Sequence, residues 1–212
     1  MGKIGLLLLF VVLLFGGFFL IFALYKPLMM GFSTFLALIY QKAGQPQKAL
    51  SLRRKVLAIL EKKHGKTHLS LVGKINKLAE LHFLLGEFER ALPLYERALG
   101  ILERRYGENN LKTVENLGNL ADCYRNLKQY DKAAPLYERA LATQEREGES
   151  SPSELALSFD NLAATYHAME QFDKAKPLYE KAMALSGKAL GKNHEQTKMI
   201  AAHYALCIQR MT

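Results

Sequence analysis

Histidine and cysteine are the side chains best suited to hold a metal or attack a substrate, and this 212-residue chain has six of the first and two of the second. His64 and His68 stand at i, i+4, the spacing of a helical metal pair. They flank Gly65 in the run HGKTH, however, which spoils the single helical face that such a pair would use, and no third ligand accompanies them. Cys123 and Cys207 are too few for a disulfide framework and lack the paired spacing of a zinc ribbon. No phosphate-cradling glycine loop, nucleophile elbow, H-E-x-x-H or C-x-x-C occurs. The sequence therefore predicts no cofactor, no metal, no small-molecule substrate and no catalytic centre, and it points to binding rather than turnover.

Charge is the next chemical signal. The net +9 is not evenly spread. Residues 26–78 hold eleven Lys or Arg against one acid, Glu61, whereas residues 79–212 hold seventeen bases and nineteen acids. Lys48, Arg53, Arg54, Lys55, Lys62 and Lys63 form the densest part of the basic half. Such a patch attracts anionic headgroups at about 1 kcal/mol per cation close to a bilayer, or equally an acidic protein partner. Nucleic acid is disfavoured, because no stacking surface is interleaved with the bases.

Upstream of that patch, residues 4–24 contain no charged or strongly polar side chain. As a helix they reach about 31 Å, the thickness of a bilayer's hydrocarbon core. The run is longer than a signal-peptide core and is closed by no A-x-A-like site, since Ile21 stands two places before Ala23. Leu6 replaces the Ser or Thr of a myristoylation signal. The expectation is an uncleaved transmembrane anchor over residues 1–25, ended by Lys26 and Pro27, which makes this a single-pass membrane protein touching lipid through residues 4–24. Lys3 plus the amino terminus roughly balances Lys26 plus Lys42 across the span, and the larger basic block leans only weakly toward a cytoplasmic location for the rest of the chain.

The elements that must position everything else repeat every 42 residues. Ala49, Ala91, Ala133 and Ala175 share that spacing, as do Leu52, Leu94, Leu136 and Leu178. Residues 87–128 and 129–170 agree at 14 of 42 ungapped positions, most clearly in ALPLYERAL, AAPLYERAL and AKPLYEKAM. Apolar residues fall at i, i+3, i+4 and i+7, so each period predicts two amphipathic helices. Units of about 28–64, 67–106, 109–147 and 151–190, followed by a capping helix over 194–210, fill a domain of residues 26–212. Gly44-Gln45, Gly86-Glu87, Lys128-Gln129 and Glu170-Gln171 are the short joints within pairs. Gly65, Gly107, Gly148 and Gly191 mark the longer joints, where a left-handed cap is expected. No pair buries its apolar face alone, so stacked neighbours make a solenoid. In that register Tyr95, Tyr137 and Tyr179 are core, His82 takes a tyrosine's place, and the two cysteines sit two periods apart, too far for a disulfide.

The signature set Leu120, Ala121, Tyr124, Ala133, Tyr137 and Ala140, with the broken runs Gly118-Asn119-Leu120-Ala121 and Asp160-Asn161-Leu162-Ala163, resembles the tetratricopeptide repeat family in its 42-residue kinesin-light-chain form. The resemblance covers roughly residues 28–210. The first unit departs most, with Arg53 in the tyrosine position and Ser51 in the proline position. The resemblance implies an all-α, right-handed solenoid of four helix pairs plus a cap, whose first helices line a concave groove for an extended peptide or a partner helix. Register then implies Gln41, Lys42, Asn76, Glu80, Phe83, Glu115, Asp122, Arg125, Asn126, Asp160 and His167 as groove residues. That groove leans acidic at its middle and lacks the family's basic clamp for acidic chaperone tails, which favours a partner segment with basic or polar residues. The function expected is a membrane-anchored scaffold or adaptor that binds a protein partner and aids assembly or recruitment at a membrane complex. The alternative is a permanent subunit of such a complex, contacting its neighbours through the span and through the apolar helix 28–40, with Gly16-Gly17 permitting close helix approach.

Overall fold

A computed structural model describes residue 31 and residues 33–211. The expected span over residues 4–24 and the start of the first repeat helix lie outside the described residues. Among the described residues no helix is long and apolar enough to cross a membrane. The chain divides into two compact units, residues 1–63 and 64–212.

Every regular element among the described residues is helical. In the first unit, residues 33–42 form α1, and α2 runs from Pro46 to His64. Ala37 and Ala49 are fully buried, and Leu50, Val56 and Leu57 nearly so. Arg53 donates to the Gln41 amide oxygen at 2.9 Å, a polar use of the position that tyrosine fills in later repeats.

In the second unit a 3₁₀ turn, Leu69–Leu71, leads into α3 (Val72–Leu84) and α4 (Phe88–Tyr106). There follow α5 (Leu111–Asn126) with α6 (Tyr130–Glu147), α7 (Pro152–Ala168) with α8 (Phe172–Leu190), and α9 (Glu195–Met211). Helix starts are set by local chemistry. The Asn110 side chain accepts from the Lys112 N–H, and Ser151 and Glu154 form a reciprocal capping box.

The joints within pairs share one geometry. The N–H of Glu87, Gln129 and Gln171 each reaches a carbonyl five residues back, on His82, Tyr124 and Tyr166, at 2.9 Å. This is the Schellman closure, and it needs a left-handed residue at the joint. Gly86 supplies it with φ 73°, but Lys128 and Glu170 adopt φ 59° despite carrying side chains. The longer joints differ from expectation. Gly148 is left-handed, whereas Gly107 and Gly191 combine φ 89° and 88° with ψ 160° and 159°. That extended mirror region is open essentially to glycine alone, and it swings the chain out of one pair into the next.

Alanine lets the helices approach closely, and larger residues fill the seams between pairs. Ala79, Ala91, Ala121, Ala133, Ala163 and Ala175 are all fully buried. Tyr95, Tyr137 and Tyr179 are at most 3% exposed, and His82 is buried at 2%. Cys123 packs with Ala79, Ala91, Tyr95 and Leu99 of the preceding pair, so it is seam filler. Burial pushes its thiol up to about 12. Polar bonds lie across the same seams. Tyr124 donates to Glu96 at 3.0 Å, Tyr166 to Glu138, and Arg139 pairs with Glu103 at 2.5 Å. The cap keeps this bond by a shift of one turn: Ile208 stands where Tyr124 and Tyr166 do, and Tyr204 reaches Glu180 instead, at 2.9 Å.

Candidate partner-binding groove

Helices α3 and α5 are the first helices of adjacent pairs, and the α4 side chains Tyr95, Leu102 and Tyr106 floor the space between them. The result is a concavity of about 610 Å³. Its walls carry Asn76, Lys77 and Glu80 from α3 and Lys112, Glu115, Asn116 and Asn119 from α5. Asn76 and Asn116 face each other and exchange both amide bonds, at 3.1 and 2.8 Å. Asn116 is 1% exposed, so this exchange satisfies a buried amide while fixing the distance between the two helices. Glu80 is half-bound by Lys77 at 2.7 Å. Glu115 is exposed and carries no ion pair among the described residues. The floor is a neutral phenol: burial, with Cys123, Glu80, Asp122 and Glu115 nearby, holds the Tyr95 hydroxyl well above its usual range.

Of the residues assigned to the groove by register, Asn76, Glu80 and Glu115 meet in this concavity. A second group lies further along α5. Asp122 accepts from Arg125 at 2.7 Å and from the Tyr137 hydroxyl, the Asn126 amide donates to the Asp122 carbonyl at 2.8 Å, and the Arg125 guanidinium lies 5.7 Å from the Tyr137 ring centroid. Arg125 also reaches Asn161 at 3.5 Å, which links α5 to α7. These groups are mutually satisfied, so they form a braced wall.

Asp160 is 3% exposed and is turned into the seam with α9, where His203 Nδ1 lies 3.0 Å from its carboxylate. Burial raises the Asp160 carboxyl above its usual range, with the His203 contact opposing. His167 is partly buried beside Phe172 and Tyr179, with ring centroids 5.5 and 6.4 Å away. Burial, then Arg210 and His203, lower its basicity. Phe83 packs edge-on against Phe88 at 5.1 Å. Gln41 and Lys42 belong to the first unit, where Gln41 is engaged by Arg53 and Lys42 is exposed.

The basic residues of α2 divide the same way. Arg54, Lys55, Lys62 and Lys63 are exposed, Lys48 lies 5.3 Å from the Tyr40 ring centroid, and Arg53 is partly buried. His64 and His68 stack at 5.0 Å in the exposed joint, and His68 Nδ1 accepts from the Ser70 N–H at 3.3 Å. Among the described residues no three candidate ligands cluster around a metal-sized space. Lys77, Lys112 and Asn116 line the concavity and carry no sequence signature, and Asn119 lines it from within the run Gly118-Asn119-Leu120-Ala121. Only Asn119, which recurs as Asn161 one period later, carried a signal that could have found it.

Family comparison agrees with this architecture. One model described as tetratricopeptide repeat matches residues 71–146, and a second with the same description matches residues 34–70 and 155–196. Among solved structures, the chain is similar to nearly identical TPR-like repeats assigned to a Podosopora anserina kinesin light chain. The identity is 26%, with 87% of each chain covered and a TM-score of 0.72. It is also similar to BtubC (BKLC) from P. vanneervenii, at 29% identity over 80% of this chain and 67% of that one, with a TM-score of 0.70. The apo form of RapI shares the fold at 16% identity and a TM-score of 0.73, with 86% of this chain and 64% of that chain covered. No curated protein matches the chain in sequence. Repeat period, paired helices, seam packing and both family models agree: the chain belongs to the tetratricopeptide repeat family.

Proposed function

We propose that this protein is a membrane-anchored scaffold that captures an extended, basic or polar segment of a partner protein in the α3–α5 concavity. The reading rests chiefly on Glu115, an exposed carboxylate with no ion pair among the described residues, set beside the amide pair Asn76–Asn116 and the carboxylate of Glu80. Beyond its bonds to the buried Asn116, the partly exposed Asn76 amide keeps one N–H and one oxygen lone pair for a peptide backbone, and the carboxylates select its side chains. Such rim charges set partner choice and association rate more than total affinity. The apolar run 4–24 supports the anchor, because its uncharged length matches a bilayer, and the basic residues that follow it support a surface-facing first unit. Together these features suit a protein that recruits a partner to a membrane complex.

The test uses the full chain in detergent and a fluorescent extended peptide of alternating lysine and serine, with a glutamate-for-lysine peptide as control. The lysine peptide is expected to bind saturably, and Glu80→Gln with Glu115→Gln should weaken it about tenfold, at about 0.5–1 kcal/mol per exposed charge. Equal binding of both peptides, or no effect of the double substitution, would show that the groove does not select by charge.

A further inference from the structure

The first helix pair presents an end face that the later pairs hide. Ile39 is 43% exposed, yet Cys123, Thr165 and Cys207 in the same register are fully buried. Cys123 clusters with the pair before it, and Cys207 with Ala163, Ala175 and Tyr179, so this position is the seat against a preceding pair. Ile59 behaves alike, being 41% exposed where Thr143 is 2% exposed. The basic margin follows the same register. Arg139, in the position of Lys55, reaches back to Glu103 at 2.5 Å, and Arg146, in the position of Lys62, reaches back to the Asn109 carbonyl. In the first unit Lys55 and Lys62 are exposed, four residues before and three residues after Ile59 on α2. Phe35 at 60% and Leu38 at 44% extend the apolar part, so that Phe35, Leu38, Ile39 and Lys42 make an exposed i, i+3, i+4, i+7 face on α1.

We infer that an anionic lipid surface covers this end face, with Ile39, Ile59 and the α1 face in the interfacial layer and Lys55 and Lys62 on headgroup phosphates. The inference rests on the reading that residues 4–24 span the bilayer. Residues 25–32 then link the span to the first unit, and eight residues of any conformation reach no more than about 29 Å, so the unit stays within that distance of the membrane surface. An apolar centre with a lysine margin is the composition that inserts at a headgroup boundary, the lysine stems lying along the apolar layer and their ammonium groups in water. A second copy is a poor occupant, because residues 26–78 carry one acid against eleven bases and two such faces repel.

The full chain is reconstituted into nanodiscs of phosphatidylcholine alone or mixed with phosphatidylglycerol, with a nitroxide at Ile59→Cys or at Leu14→Cys. Cys123 and Cys207 are buried and stay unlabelled in the folded chain. Collision with oxygen, which prefers lipid, and with a water-soluble nickel chelate locates each label. Position 59 is expected to favour oxygen in anionic discs and nickel in neutral ones. Lys55→Gln with Lys62→Gln should lower the docked-to-undocked ratio about 25-fold, near fivefold per charge. Nickel access at position 59 in both lipids overturns the inference, as does shielding from both reagents in both lipids, which would mean a protein cover. Leu14 separates the two levels. Nickel access there refutes the anchor and the docking together, whereas a lipid-buried Leu14 with an aqueous position 59 refutes the docking alone.

Discussion

The joints within pairs hold a strain that can be relieved at two sites. Gly44, Gly86, Lys128 and Glu170 are one period apart and share a left-handed backbone, with φ 69°, 73°, 59° and 59°. A side chain in that region costs about 1–2 kcal/mol through contact of Cβ with its own backbone. Space is not the obstacle, since a Cβ added at Gly44 or Gly86 meets nothing within 4 Å. Lys128→Gly and Glu170→Gly therefore each remove about 1–2 kcal/mol of strain, and glycine's looser unfolded chain returns about 0.5–1 kcal/mol. The net gain is about 0.5–1 kcal/mol per site. The joints lie a full repeat apart, so the double variant should gain about 1–2 kcal/mol. In a chain of this length that raises the melting midpoint by about 2–4 °C per kcal/mol, read by far-UV circular dichroism of the full chain. Gly86→Ala is the control with opposite sign and, with the same unfolded-chain offset, should cost about 0.5–1 kcal/mol. If the double variant melts at or below the parent temperature while Gly86→Ala is neutral, the Schellman bonds rather than Cβ sterics set the energy of the joint, and this reasoning fails.

Two further outcomes follow from buried polar groups. Asn76→Ala leaves the Asn116 amide, 1% exposed, without its partner, and should cost about 1–3 kcal/mol in chemical denaturation; replacing both by apolar residues should cost less than the sum of the single changes. Asp160 has a carboxyl raised by burial, with the His203 ring and Arg125 facing it, so its contribution is favourable below its ordinary value of 3.8 and is lost as pH rises through the folded value. Asp160→Asn should accordingly be more stable than the parent at pH 7, with the advantage vanishing on acidification below that ordinary value; a constant difference across pH would show that the carboxyl is not destabilised by burial.

The helices, their pairing and the alanine and tyrosine core were legible in the sequence because a solenoid makes every unit answer the same packing problem. A side chain that fills one seam must fill the next, so 14 matches in 42 positions carry the architecture. The groove was harder to read. Glu115 and Asn116 are neighbours, yet one is exposed and the other is 1% exposed, and about 100° of helix rotation decides which wall the partner meets. Asp160 was hidden for another reason: its burial depends on His203, 43 residues away on the cap, at a position where earlier repeats carry Lys77, Asn119 and Asn161. Glycine at the longer joints implies a left-handed cap, because glycine permits that conformation. It also permits the extended mirror region that Gly107 and Gly191 adopt, and composition cannot separate the two.

Core and groove positions obey different constraints along the second unit, and the difference gives the groove a direction. The core register Ala79, Ala121 and Ala163 does not vary and stays fully buried. One groove register instead runs Glu80, Asp122, Ala164, Leu206, with Leu206 54% exposed, and another runs Glu115, Leu157, Met199, with the last two 39% and 41% exposed. The exposed face thus changes from carboxylate to apolar between α3 and α9, while the packing beneath it is constant from α3 to α7. Under the function proposed above, an extended segment lying along this face meets the carboxylates at one end and an apolar strip at the other. A segment whose basic and apolar halves are in the matching order gains both interactions, and the reversed order forfeits both, leaving a lysine on apolar surface and an apolar side chain against Glu80 and Glu115. On that proposal, partner orientation is set by the residues that the repeat leaves unconstrained.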